Sequence, residues 1–332
     1  MGLLLGWASA FGSCQMSELA IQTVDLLRRY GKYTAVNKLN LKITLGSIFG
    51  FLGPNGAGKT TTLRMLAGLL EPSSGQVFLH GQLIQKTSTA AAIVGYMPDF
   101  FGVYDDLRVW EYLDFYARCH GIEPAKRKST VDGLLDLVDL SEKRNAFVQH
   151  LSRGMQQRLC LAHALVHDPK ILLLDEPASG LDPQARVELR ELLRTLRDMG
   201  KTIILSSHIL NELEDICTDF GIMARGELLA QGSLETLRQR SRPALQIKVL
   251  DDLDRAMRLI AAQSGVLRVL EPAEATPMLI EVEFDGDEQQ ASQLLLNLAR
   301  AELPIADFHR EDDSLERLFL QLVNNHGLEE RV

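Results

Sequence analysis

The sequence predicts an α/β chain built around a strand–loop–helix unit with a glycine-rich loop and followed by a smaller α+β domain. Three observations lead there. The glycine-rich run "GPNGAGKTT", 53–61, stands between an apolar strand pattern and a helical one. Two short continuous apolar runs, "KILLLDEP" and "KTIILSSH", have the form of strands buried on both faces of a parallel sheet. Beyond a charged, proline-bearing stretch, "RQRSRPAL" at 238–245, strand and helix patterns follow the order β-α-β-β-α-β, the ferredoxin-like arrangement.

Apolar alternation in "NLKITLGSIFGFLG" reads as strands, and "KTTTLRMLAGLL" reads as a helix that opens directly after the glycine turn. From about Phe100 to His167 the spacing is helical, with "RVWEYLDFYARCHG" and "KSTVDGLLDLVDL" both amphipathic. After the charged linker, "LQIKVL", "VLRVL", "MLIEVEF" and "IADFHR" read as strands. Between and after them, "DLDRAMRLIAAQ", "EQQASQLLLNLAR" and a closing "SLERLFLQLV" at 314–323 read as helices. The first residues, "MGLLLGWASAFGSCQMSEL", lack the positive region of a secretory signal, so 1–16 read as an unstructured or non-native leader.

Composition narrows the class. A chain of 332 residues with 46% hydrophobic and 24% charged residues has the balance of a soluble globular protein. The net charge of −9 arises in the tail, where 241–332 hold nine Lys and Arg against eighteen Asp and Glu. Neither half carries a basic stripe, which argues against a nucleic-acid binder. Cys14, Cys119, Cys160 and Cys217 show no metal-ligand spacing and read as reduced thiols of a cytosolic protein. No apolar stretch of about 20 residues is present to span a membrane as a helix.

The chemistry begins at 53–61, which fits G-x-x-x-x-G-K-[ST] in full. Gly53, Pro54, Asn55, Gly56, Ala57 and Gly58 would fold into a nest of N–H donors around a β-phosphate, with Thr61 in the first helical turn. Lys59 would reach the β- and γ-phosphates, and the Thr60 hydroxyl would ligate Mg²⁺. The strand "ILLLDEP" ends in two carboxylates. Since neighbouring side chains of a strand point to opposite faces, Asp175 and Glu176 are expected to play different parts. Asp175 is placed to hold Mg²⁺ through water, and Glu176 to act as general base on an attacking water. His208, at the end of the other buried strand, is placed to bond the γ-phosphate, the alternative being a structural histidine.

With "GPNGAGKTT", "LSRGMQQRL", "ILLLDEP", "SGLDP" and "SSH" in this order, residues 19–240 resemble the nucleotide-binding subunit of an ABC transporter. The resemblance implies a P-loop NTPase core with an antiparallel β subdomain and a helical signature subdomain at about 100–167, within a nucleotide domain over 17–240. It implies a dimer, either a homodimer or a pair of close paralogues, around two ATP. Each ATP would be held by the P-loop of one copy and the signature turn Ser152, Arg153, Gly154 and Met155 of the other. Tyr30 matches the aromatic that stacks on adenine, unless it is an ordinary core tyrosine. Asp182 matches the residue joining the two sites across the dimer, a plain turn before Pro183 being the alternative.

Three positions depart from the common pattern. Asp99 stands where glutamine is usual, so it is expected either to sense Mg²⁺ and the γ-phosphate or to cap a helix after Pro98. Acidic residues there look typical of the type-two exporter branch, and the closing helix of 241–332 resembles that branch's accessory domain. Arg153 and Met155 replace a glycine and a glutamine of the usual signature; Arg153 either adds a cation near the phosphate or points to solvent.

The resemblance implies an ATPase that works from the cytoplasmic face of a separate multi-span permease. Contact would fall around 99–108, where "FFGVYDDL" offers apolar residues that are otherwise ordinary packing. A soluble relative acting on ribosomes or nucleic acid would carry a second cassette, a basic arm or a long heptad insertion. A non-hydrolysing regulatory cassette would have lost Lys59 or Glu176. The sequence shows none of these features.

Overall fold

A computed structural model of the chain describes residues 19–85, 87–99, 102, 106–238, 244–270, 272, 276–311, 315, 318, 319 and 322. They form two compact units, one ending at Ser233 and the other beginning at Leu234. The leader lies outside the described residues, as do most of 100–105 and most of the closing helix expected over 314–323.

The first unit opens with β1 (Leu19–Tyr30), β2 (Tyr33–Leu39), β3 (Lys42–Thr44) and β4 (Ile48–Leu52), then α1 (Lys59–Leu66). Next come β5 (Ser74–Leu79), β6 (Gln82–Leu83), α2 (Thr87–Ala91) and β7 (Val94–Met97). Three helices follow, α3 (Val109–Cys119), α4 (Pro124–Leu137) and α5 (Arg153–Leu165). The unit closes with β8 (Ile171–Asp175), α6 (Pro183–Asp198), β9 (Thr202–Ser207), α7 (Asn211–Glu214), β10 (Asp219–Ala224) and β11 (Glu227–Ser233).

Its strands make two sheets. One is antiparallel, in the order β2-β1-β5-β6 with β3 also paired to β1. The other runs β11-β10-β4-β9-β8-β7, parallel from β10 to β7 with the β10–β11 hairpin at its edge. Every residue of β4, β8 and β9 is buried, which is why those segments read as unbroken apolar runs. Because β4, β9 and β8 are adjacent and parallel, the loops leaving their carboxyl ends emerge at one edge, where open α/β sheets place ligands. The local turns differ from expectation at two helix ends. α1 stops at Leu66, where the Leu69 and Leu70 amides turn back onto the Arg64 carbonyl. α4 begins early, with Pro124 in its first turn, where a fixed φ and a missing N–H cost nothing. Helix α5 lies tightly on β7: a β-carbon added to Gly95 would stand 2.2 Å from the Ala164 carbonyl oxygen.

The second unit contains α8 (Leu234–Arg238), β12 (Ala244–Val249), α9 (Leu253–Ala261), β13 (Val266–Leu270), β14 (Leu279–Phe284), α10 (Glu288–Arg300) and β15 (Ile305–Glu311). From β12 onward this is the β-α-β-β-α-β order, in an antiparallel sheet β13-β14-β12-β15. Leu245, Ile247 and Val249 are buried and alternate with Gln246 and Lys248, as a sheet with one covered face requires. Ala256 and Ile260 of α9 and Ala291, Leu294 and Leu298 of α10 share that core. Asp287 starts α10 by accepting from the Gln290 amide, while Gln290 returns a bond to the Asp287 amide.

Among the described residues, no helix is long and apolar enough to cross a membrane. Cys119, Cys160 and Cys217 are free thiols, and burial pushes Cys160 up to about 12.

Candidate functional site

The loop Gly53–Gly58 joins β4 to α1 and curls tightly, with the Ala57 amide bonded to the Pro54 carbonyl at 3.1 Å. Gly58 precedes the helix at φ 103, and a β-carbon there would lie 2.4 Å from the Ala35 carbonyl oxygen, so only glycine fits. Asn55 and Gly56 are exposed at the tip, while Thr60 and Thr61 are half-buried in the first turn of α1. Lys59 is 5% exposed. Its ammonium group donates to the Gly53 carbonyl at 2.6 Å and the Pro54 carbonyl at 3.3 Å, and lies 3.4 Å from Glu176 Oε1.

The two carboxylates at the end of β8 diverge for a reason other than strand alternation. Asp175 is the last residue of β8 and 1% exposed. Glu176 has already left the strand, at φ 49, so a left-handed turn rather than strand alternation sends its side chain a different way. Its Oε2 lies 3.0 Å from His208 Nδ1, which places the carboxylate between the lysine and the imidazole. Ser206 ties the pair to β9: its hydroxyl donates to Asp175 Oδ1 at 2.6 Å and accepts from the Glu176 amide at 2.9 Å. Asp175 Oδ2 is buried without a hydrogen-bond partner among the described residues. A hard cation bound through oxygen suits such an atom, so the Asp175 carboxylate has the donor chemistry for Mg²⁺.

Tyr30 and Tyr33 face each other across the β1–β2 hairpin, and both are exposed, at 46% and 58%. Tyr30 is therefore not a core residue. The Arg28 guanidinium lies 4.7 Å over one face of its ring. Tyr33, which no motif singles out, donates a long 3.4 Å bond to the Gly56 carbonyl and so touches the phosphate loop directly. An aromatic three residues beyond Tyr30 in a tight hairpin was the available signal.

Asp99 is exposed in the bend after β7. The next described helix starts at Val109 with Arg108 before it, so Asp99 caps none of the described helices. It does share an electrostatic neighbourhood with Asp175: burial raises the pKa of Tyr96, and both carboxylates raise it further while Arg64 opposes them.

The signature residues gather elsewhere. Ser152 precedes α5 and its hydroxyl accepts from the Met155 amide at 3.3 Å, the helix-capping bond its residue type favours. Arg153 is exposed at the head of α5. Its guanidinium lies over Gly180, near enough that a β-carbon on that glycine would meet the central carbon at 2.5 Å. Gly154 packs toward Ala185, and buried Gln157 donates to the Pro177 carbonyl at 2.6 Å. Asp182 caps α6 by accepting from the Ala185 amide at 2.9 Å. Lys59, Asp175, Glu176 and His208 thus form one cluster, and Ser152–Met155 with Gly180–Ala185 another. The short segment 177–179 links them, with the Ser179 amide bonded to the Glu176 carbonyl at 3.1 Å.

Comparison with known proteins gives a consistent pattern. A family model described as ABC transporter matches residues 36–179. The bacitracin transport ATP-binding protein BcrA of Bacillus licheniformis is 34% identical over 91% of this chain and 97% of its own length. The Nod factor export ATP-binding protein I of Paraburkholderia xenovorans is 42% identical over 67% of this chain and 73% of its own. A solved ATP-binding subunit of an ABC transporter superposes with a TM-score of 0.60 at 29% identity, over 67% of this chain and 92% of that one. The cbiO1 subunit of Clostridium perfringens shares the fold at 23% identity and a TM-score of 0.61, over 74% of this chain and 96% of that one.

Proposed function

The chain belongs to the ATP-binding proteins of ABC transporters, and from that premise we propose how its residues divide the work of ATP hydrolysis in an exporter. One observation carries the reading: the Glu176 carboxylate is held between Lys59 and His208, beside the unpartnered Oδ2 of Asp175.

The amides of 53–58 and the amino end of α1 receive the β- and γ-phosphates, with Lys59 as the matching cation. Thr60, Asp175 and Asp99 would hold Mg²⁺, which when bound supplies charge neutralisation to the phosphates. Glu176 accepts the proton of the attacking water. His208 orients that carboxylate through Nδ1 and offers its other nitrogen to the γ-phosphate. Tyr30 presents the face not covered by Arg28 to the adenine ring.

Two copies complete two sites. Ser152 spends an acceptor pair on the Met155 amide, so its own proton remains to be given to the γ-phosphate held by the second copy. Gly154 and Met155 add amides at the head of α5, and Asp182 sits where the two copies meet. Residues 17–240 are the hydrolysing domain and 241–332 an accessory domain. Relatives named for Nod factor export and bacitracin transport support the exporter direction, with a multi-span permease on whose cytoplasmic side the dimer sits.

The test is affinity purification from detergent-solubilised membranes, with ATP and the Glu176→Gln variant to hold the closed dimer. A multi-span membrane protein is the expected partner. Recovery of ribosomes in its place would overturn the transport reading.

A further inference from the structure

Resting on the reading of Asp175 as metal ligand and Glu176 as base, we propose that Ser206 is the positioning residue for both carboxylates. β9 is buried on both faces and otherwise supplies Ile203, Ile204 and Leu205 to the core at this depth. A fully buried hydroxyl in that strand is unfavourable unless its bonds are made. Ser206 makes them with the two residues at the end of β8. The parallel ladder pairs Asp175 with Ser206 in register, so the hydroxyl and the carboxylate are brought side by side by the sheet itself.

The single proton of Ser206 goes to Asp175 Oδ1 and a lone pair receives the Glu176 amide. With Oδ1 engaged, the carboxylate is fixed in rotation, and the buried, unpartnered Oδ2 is the oxygen that would be left to hold a cation. The second bond fixes the Glu176 backbone at φ 49, a conformation that side chains other than glycine seldom adopt. That turn is what aims the Glu176 carboxylate at Lys59 and His208. One hydroxyl therefore sets both the oxygen left for the metal and the bearing of the base, acting through Asp175 and Glu176.

The measurement is Mn²⁺ uptake by the full chain with a non-hydrolysable ATP analogue, followed by electron paramagnetic resonance and paired with kcat, KM for ATP and thermal melting. Ser206→Ala is expected to weaken Mn²⁺ binding about 10-fold or more and to lower kcat with KM for ATP little changed, as loss of a partner behind a ligand does. Ser206→Thr, which restores the hydroxyl, should return Mn²⁺ affinity to within about 3-fold. Ser207→Ala removes a neighbouring hydroxyl whose partners are Glu212 and the Ile209 amide, and should leave Mn²⁺ affinity in place. Equal losses in the Ser206 and Ser207 variants would assign the effect to strand integrity and overturn the proposal. Loss in Asp175→Asn alone would also overturn it while leaving Asp175 as the ligand; loss in neither Asp175→Asn nor Ser206→Ala would remove the metal assignment itself.

Discussion

The guanidinium of Arg153 lies directly on Gly180, so the head of α5 and the turn before α6 are fitted to each other within one chain. Gly180 has φ 68, and a side chain there would be strained even without its neighbour. Gly180→Ala should therefore lower hydrolysis about 10-fold, mainly through the strained backbone and to a smaller extent through the guanidinium, which is the exposed end of a flexible side chain and can shift. Arg153→Ala should relieve only the clash. In a double-mutant cycle the combined variant is expected to be less impaired than the product of the two single effects. Strict additivity, measured as steady-state ATPase rates, would show that the contact carries no coupling.

Glu176→Gln keeps the size of the side chain and removes its basicity. Turnover should fall about 100-fold or more while nucleotide binding, followed by equilibrium titration, persists. Lys59→Ala acts earlier, weakening binding itself. Undiminished turnover in Glu176→Gln would exclude this carboxylate as the base.

The two hairpin tyrosines make a separable pair. Tyr30→Ala should weaken binding of a fluorescent ATP analogue about 10-fold, the scale of losing one base-stacking contact. Tyr33→Phe deletes only a 3.4 Å hydrogen bond and should change affinity less than about 3-fold. If Tyr33→Ala is the damaging change and Tyr30→Ala is silent, the adenine rests on the other ring.

An acid-sensitive patch lies in the helical part of the first unit. His163 stacks on Tyr116 with ring centres 3.5 Å apart, and His120 stacks on His167 at 4.1 Å. Burial lowers the pKa of His163 to about 4, with His120 and His167 as further like charges, and burial lowers those two as well. Each is neutral in the fold and protonates more readily when unfolded, at its ordinary value of 6.5. Stability is thus intact above pH 6.5 and is lost as pH falls toward 4, by at most about 3 kcal/mol for His163. His163→Phe, which keeps a ring against Tyr116, should flatten the drop in melting temperature between those limits. A drop as steep as that of the natural chain would place the acid response elsewhere.

How far the sequence could be read depended on the distance over which each feature is encoded. The phosphate loop was legible because its glycines, Lys59 and threonines lie within nine consecutive residues. The buried strands declared themselves by composition, and the second unit by its alternating patterns. Ser206 was not legible, because its use depends on a parallel register with Asp175 across 31 residues. The Arg153–Gly180 contact and the histidine stacks likewise join distant segments whose side-chain directions no periodicity fixes. Glu176 was misplaced in geometry for a different reason: strand alternation was carried one residue past the point where the backbone turns left-handed.

The close seat of α5 on β7 has a mechanical consequence. With the Ala164 carbonyl pressed toward Gly95, the far end of the helix has a pivot made of backbone, which no side-chain rotation can soften. The thirteen residues of α5 span about 20 Å, so a rotation of about 10° at that pivot would carry Ser152 through about 3 Å. That is about the length of a hydrogen bond, enough for a small tilt at the sheet to engage or release whatever the serine holds.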